Sequence, residues 1–230
     1  MSQPQKILTI ILWIAAVAGM VGVVAMKTLP ANTASSSTVT APALSPTVAL
    51  VHSDPADSPD AALPILYSAP SFTLTDQDGK PATDAQLLGH PWIADFIFTT
   101  CATLCPTMSA HMSELQTELP ADVKFVSFSV DPAHDTPPVL KDYAEKYHAQ
   151  ANRWIFLTGD LQTQERVIRA MKLDFIPAAG DNPIQHDEHF VLIDAQGKIR
   201  GFYDSFVPER MDALVHDAEA LAAHPGGAAQ

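Results

Sequence analysis

The sequence predicts an α/β domain, a mixed sheet flanked by helices, preceded by one transmembrane helix and a flexible linker. Three observations predict it. An uncharged apolar run lies near the N-terminus, and a stretch rich in Pro, Ser, Thr and Ala follows it. From about residue 65, short β-branched and aromatic runs alternate with segments of helical spacing.

Ile7 to Met26 are twenty residues without a charge. At about 1.5 Å per residue, a helix of that length spans the roughly 30 Å hydrocarbon core of a bilayer. The run exceeds the roughly 7–15 residues of a signal-peptide core. No A-x-A site follows it directly, the first being Ala41-Pro42-Ala43 well beyond Met26, so residues 1–27 read as an uncleaved anchor. After Lys27 no Lys or Arg occurs before Lys80. That depletion predicts a cytoplasmic N-terminus and a domain outside the cytoplasm, on the periplasmic face of a bacterial inner membrane. Residues 28–64 hold six Pro, eleven Ser or Thr and eight Ala, too little apolar side chain to fold alone, and read as a tether. The folded domain is expected over 65–223, with 224–230 as a tail.

Within the domain, Ser71–Thr75 and Lys80–Thr83 flank Asp76-Gln77-Asp78-Gly79, a hairpin turn. Trp92–Thr99 is mostly apolar and rich in Ile and Phe, as in a central buried strand. A helix is expected over Pro106–Leu119, stopped by Pro120, and a second strand over Val123–Val130. Thr136-Pro137-Pro138 opens a helix through His148, with proline where the first turn tolerates it. Trp154–Leu157 is a short strand, and Asp160 caps a helix running to Lys172. His189–Asp194 and Lys198–Tyr203 surround the turn Ala195-Gln196-Gly197, and Pro208–Ala223 is a final helix.

Thirteen Lys+Arg against twenty-six Asp+Glu give a net charge of −13, which excludes a nucleic-acid binder dependent on basic surface. No G-x-G-x-x-G, Walker loop or G-x-S-x-G is present, so nucleotide and serine-hydrolase chemistry have no support. The two cysteines are too few for a disulfide-stapled scaffold or a four-thiolate zinc site. They stand together in Thr99-Thr100-Cys101-Ala102-Thr103-Leu104-Cys105-Pro106, between the central strand and a helix. A helix N-terminus favours thiolate. Two adjacent thiolates either oxidise to a disulfide or clamp a soft ion. A purely structural disulfide here would close a five-residue loop and constrain the unfolded chain little, which favours reactive use.

The chain resembles the Sco/SenC family, thioredoxin-fold proteins that deliver copper to the binuclear copper site of cytochrome c oxidase. The resemblance is carried by C-x-x-x-C-P at Cys101–Pro106 and the strand before it. Asp131-Pro132-Ala133-His134-Asp135-Thr136-Pro137 and the stretch His186–Gly197 also carry it. It covers essentially the whole domain, and the anchor and tether match the family's architecture. One residue departs from the pattern: Ala102 stands where the family commonly has proline.

The resemblance implies a thioredoxin-like fold and a copper site made of Cys101, Cys105 and one histidine. In the family that histidine precedes the hairpin strand by four residues and the turn glycine by eleven. His186 fits both offsets, with Phe190 and Gly197; His189 lies three residues out of register. Two thiolates and one imidazole suit Cu(I), whereas Cu(II) wants an added oxygen or nitrogen ligand. The implied partners are a copper donor protein and the oxidase subunit bearing the binuclear copper site. Met108, His111 and Met112 share a helical face and read as core rather than ligands. Asp131 either tunes the site or caps the turn at Pro132. His134 is expected to be exposed, and Glu114, Glu118, Glu145 and Lys146 to lie on solvated faces.

The leading expectation is therefore a membrane-anchored copper metallochaperone, and no enzyme is required by it. The alternative is a thiol–disulfide oxidoreductase that reduces the cysteines of a cuproprotein. A peroxide-reducing relative is disfavoured, since the P-x-x-x-T-x-x-C pattern fails before Cys101.

Overall fold

The computed structural model describes residues 63–179 and 184–224. The expected anchor Ile7–Met26, the linker up to residue 62 and the tail from residue 225 lie outside them. Among the described residues no helix is long and apolar enough to cross a membrane.

In chain order the strands are β1 (Tyr67–Ser68), β2 (Thr73–Asp76), β3 (Pro81–Thr83), β4 (Trp92–Ile97), β5 (Lys124–Ser129), β6 (Trp154–Thr158), β7 (Phe175–Ile176), β8 (Gln185–His186), β9 (His189–Ile193) and β10 (Lys198–Asp204). The helices are α1 (Leu104–Glu118), α2 (Pro137–Lys146), α3 (Leu161–Ala170) and α4 (Pro208–Ala223), with a 3₁₀ turn at Asp84–Gln86. Eight strands form one sheet in the order β1-β10-β9-β4-β5-β6-β2-β3, and a second, two-stranded sheet pairs β7 with β8. β4, β5 and β6 are parallel, while β9 runs antiparallel to β4 and β2 antiparallel to β6. The mixed α/β sheet expected from the alternating periodicities is thus present.

β4 is central because all six of its residues are buried. Its side chains alternate between two cores, as a pleated strand requires. Ile93 and Ile97 join Cys105, Met108, Met112, Leu140, Tyr143, Trp154, Phe190 and Leu214 under α1, α2 and α4. Trp92, Ala94 and Phe96 join Leu74, Phe128, Val167 and Ile168 under α3. Phe128 stacks on Phe96 and meets the edge of Phe72, each at 5.2 Å between centroids. Met108 and Met112 are fully buried, as their helical spacing predicts.

Turn chemistry fixes the register. Gly79 (φ +78°) closes the β2–β3 turn and Gly197 (φ +72°) the β9–β10 turn, in a left-handed conformation that other residues resist. At that second turn the buried Arg200–Asp194 ion pair (2.8 Å) also gathers incoming chain, since Arg200 donates to the carbonyls of Leu63 and Pro64.

Helix boundaries differ from the sequence reading where local backbone decides. α1 begins at Leu104 instead of Pro106, because a proline in the first turn loses no hydrogen bond. Cys105 therefore lies inside the helix. α2 ends at Lys146 and α3 at Ala170, each two residues short of the expected end. His148 (φ +55°) and Lys172 (φ +65°) take the chain out through the left-handed region. Asp160 caps α3 as expected, its carboxylate accepting the Thr163 N–H at 2.8 Å.

Candidate metal centre

β4 delivers the cysteine loop to the edge of the sheet where its parallel neighbours also end. The Cys101 N–H donates to the Phe98 carbonyl at 3.1 Å, which turns the chain at once. Cys101 is left half-buried, whereas Cys105, in the first turn of α1, is fully buried; both thiols are free.

The two sulfurs differ in acidity. Partial burial pulls the Cys101 pKa up, but the N–H groups of Cys105 and Thr103 outweigh it. With help from the Cys105 thiol and Thr103 hydroxyl, they bring it down to about 7. For Cys105, burial dominates and pushes the pKa far above the ordinary thiol range, only partly offset by the Phe98 N–H. The helix N-terminus was expected to acidify both thiols; it is overridden at Cys105, since desolvation of a thiolate costs more than the first turn returns. Alkylation at pH 7 is expected to modify Cys101 at least about tenfold faster than Cys105, as peptide mapping after brief labelling would read. Equal rates would contradict this asymmetry.

His186 reaches the site on β8, paired with Phe175 of β7. Its Nε2 lies 3.3 Å from the Cys105 sulfur. Nδ1 lies 2.8 Å from the Asp187 carbonyl, so this nitrogen carries the proton and Nε2 turns its lone pair to the sulfur. Phe98 holds the ring edge-on at 5.7 Å. Burial lowers the His186 pKa, against the opposing pull of Asp187 and Glu188, and keeps the imidazole neutral. His189 is engaged elsewhere: its Nδ1 sits 2.5 Å from the Asp187 carboxylate, which raises its pKa.

The residues singled out by sequence thus come together unequally. Cys105 and His186 are in contact, while the Cys101 sulfur pairs with the Thr103 hydroxyl at 3.6 Å. Among the described residues no three His, Cys, Asp or Glu side chains are arranged around one metal position. Asp131 accepts from His134 at 2.7 Å, and His134 is 68% exposed as expected.

Two buried acids were not singled out from the sequence. Asp135 takes hydrogen bonds from Thr99 and Ser129. Asp95 is fully buried on the β4 face that carries Ile93 and Ile97, and neither of its oxygens has a hydrogen-bond partner. Burial raises its pKa to about 7, with the dipole of the nearby Ser127 hydroxyl offsetting part of that. The signal for Asp95 was a single acid inside the apolar run Trp-Ile-Ala-Asp-Phe-Ile.

The SCO1/SenC family model matches residues 66–222. The SCO1 protein homolog of Bacillus subtilis is 37% identical over 162 residues, covering 68% of this chain and 84% of the relative. The structure of BsSco, described as a member of the Sco family of cytochrome c oxidase assembly proteins with a disulfide switch, shares 35% identity and a TM-score of 0.62. The match covers 70% of this chain and 96% of that one. Bradyrhizobium japonicum ScoI, solved with copper bound, shares 25% identity and a TM-score of 0.55, covering 69% of this chain and 99% of that one.

Proposed function

The chain belongs to the SCO1/SenC family, and on that premise we propose that it is a copper metallochaperone of cytochrome c oxidase assembly. Its cargo is held by Cys101, Cys105 and His186. The observation that carries the ligand set is the 3.3 Å approach of His186 Nε2 to Cys105, with the nitrogen's lone pair turned to that sulfur. Two sulfurs and one neutral imidazole match the softness of Cu(I). Asp187 fixes the tautomer from the far side of the ring, the usual way a metal-binding histidine is oriented. The half-exposed Cys101 is the ligand through which copper enters and leaves by exchange with a partner's ligands. The apolar run Ile7–Met26 anchors the domain outside the cytoplasm, on a bacterial inner membrane, and residues 28–64 let it reach a copper donor and the oxidase subunit.

A second reading is favoured by the acidity difference between the thiols. Cys101 near pH 7 is half thiolate, while Cys105 waits as a buried thiol. That is the division of labour of a thiol–disulfide oxidoreductase: Cys101 attacks a cuproprotein's disulfide, and Cys105 then resolves the mixed disulfide.

Copper loading of the full-length protein decides between them. The reduced protein is expected to bind one copper per chain, and the form with Cys101–Cys105 oxidised to hold none tightly, because the ligands are thiolates. Equal binding by both forms would remove the cysteines from the site. No tight binding by the reduced form would leave the oxidoreductase.

A further inference from the structure

The loop that carries Cys101 is held from the side by a carboxylate with no part in the ligand set. Asp135 is fully buried in the connection between β5 and α2. It accepts the Thr99 hydroxyl at 2.5 Å through Oδ1, and the Thr99 N–H at 3.2 Å through both oxygens. Oδ2 also accepts the Ser129 hydroxyl at 2.6 Å. The connection is itself braced: the Asp135 N–H donates to the Asp131 carbonyl at 2.9 Å, and the Val130 N–H to Ile97 at 2.8 Å. An ionised carboxylate only accepts, and here it meets three donors, two of them from one residue.

Thr99 stands in a sensitive place. The residue before it, Phe98, accepts the Cys101 N–H and presents its own N–H to the Cys105 sulfur. Cys101 itself is two residues on. A shift of Thr99 therefore moves the backbone groups that face both sulfurs.

We propose that Asp135 is a positioning residue for the thiol pair, clipping Thr99 so that Cys101 and Cys105 keep the mutual placement their exchange or metal binding requires. The inference rests on the cysteines being the working pair of the proposed function. It makes a hydrogen-bond clip between two loops part of the site's tuning. Sequence separation hides it, because Thr99 and Asp135 are thirty-six residues apart.

Asp135→Asn keeps the shape but turns an amide N–H₂ toward donors, and Thr99→Val removes the hydroxyl bond while keeping the volume. In the full-length protein the disulfide equilibrium is read in a glutathione buffer, where one protein disulfide plus two glutathione thiols give the dithiol plus one glutathione disulfide. Copper(I) retention against a chelator is read on the same samples. Each variant is expected to shift the disulfide equilibrium constant by about tenfold and to weaken copper retention. The double variant should fall short of the sum of the two singles, because both weaken the same Thr99–Asp135 contact. Thr99→Val also serves if Asp135→Asn does not fold. An equilibrium constant within about twofold of the unaltered protein would overturn the proposal, even with a lowered thermal midpoint, as would additive effects in the double variant. Failure of the unaltered protein to bind copper would sink the metallochaperone reading alone, since the disulfide equilibrium still reports the clip.

Discussion

Replacing His186 by alanine is expected to weaken copper retention by about 100-fold or more, since even an outer partner of a metal ligand is commonly worth about 10–100-fold. The substitution leaves both sulfurs, the first turn of α1 and the Asp135 clip in place. The disulfide should therefore still form and exchange, and thiol titration should still count two groups per reduced chain. Two thiolates alone hold Cu(I) more weakly and Cu(II) hardly at all. His189→Ala is expected to change retention little, because His189 is tied to Asp187 at 2.5 Å while His186 faces Cys105. Competition with a copper chelator on both variants measures this. Metal loss in His189→Ala with retention in His186→Ala would place the ligand three residues away. Indifference to both would reduce the site to a dithiol and favour the oxidoreductase.

Asp95→Asn is expected to remove a pH-dependent penalty from the fold. An aspartate in the unfolded chain ionises near pH 4, whereas burial holds Asp95 protonated up to about pH 7. Between these values the folded state binds the extra proton, so this group's contribution is fully present below pH 4 and is lost as pH rises to about 7. Three pH units at about 1.4 kcal/mol each set an upper bound of about 4 kcal/mol on the loss. The asparagine variant keeps the volume and cannot ionise. Its stability relative to the native chain should rise across that window, whatever constant cost the buried amide adds. Denaturant unfolding of both proteins at pH 4.5 and pH 7.5 measures the difference. A native-minus-variant difference that stays flat between the two would show that Asp95 is ionised throughout or solvated.

The long elements were legible because each carries a repeated local signal. Trp92–Ile97 advertises itself by unbroken burial, Pro208–Ala223 by its proline start and spacing, and the turns at Gly79 and Gly197 by residues that tolerate a left-handed backbone. β7 and β8 left no such trace. Two residues are too few for any period, yet β8 presents His186. The register that selected His186 over His189 came from the family resemblance; in space Asp187 divides the two rings, its carbonyl facing His186 and its carboxylate His189.

The sequence by itself determined the class of the fold, the adjacency of two thiols at a strand–helix junction and the soft chemistry they serve. All of these are set by neighbours within a few residues along the chain. Only the tertiary structure decided which thiol is acidic. Burial by the core beneath α1 outweighs the helix terminus at Cys105 and spares Cys101. It also decided that Asp95 keeps its proton and that Asp135, thirty-six residues from Thr99, braces the cysteine loop. Desolvation and hydrogen bonding depend on what surrounds a group in space, and that environment is assembled from strands and helices distant in the chain.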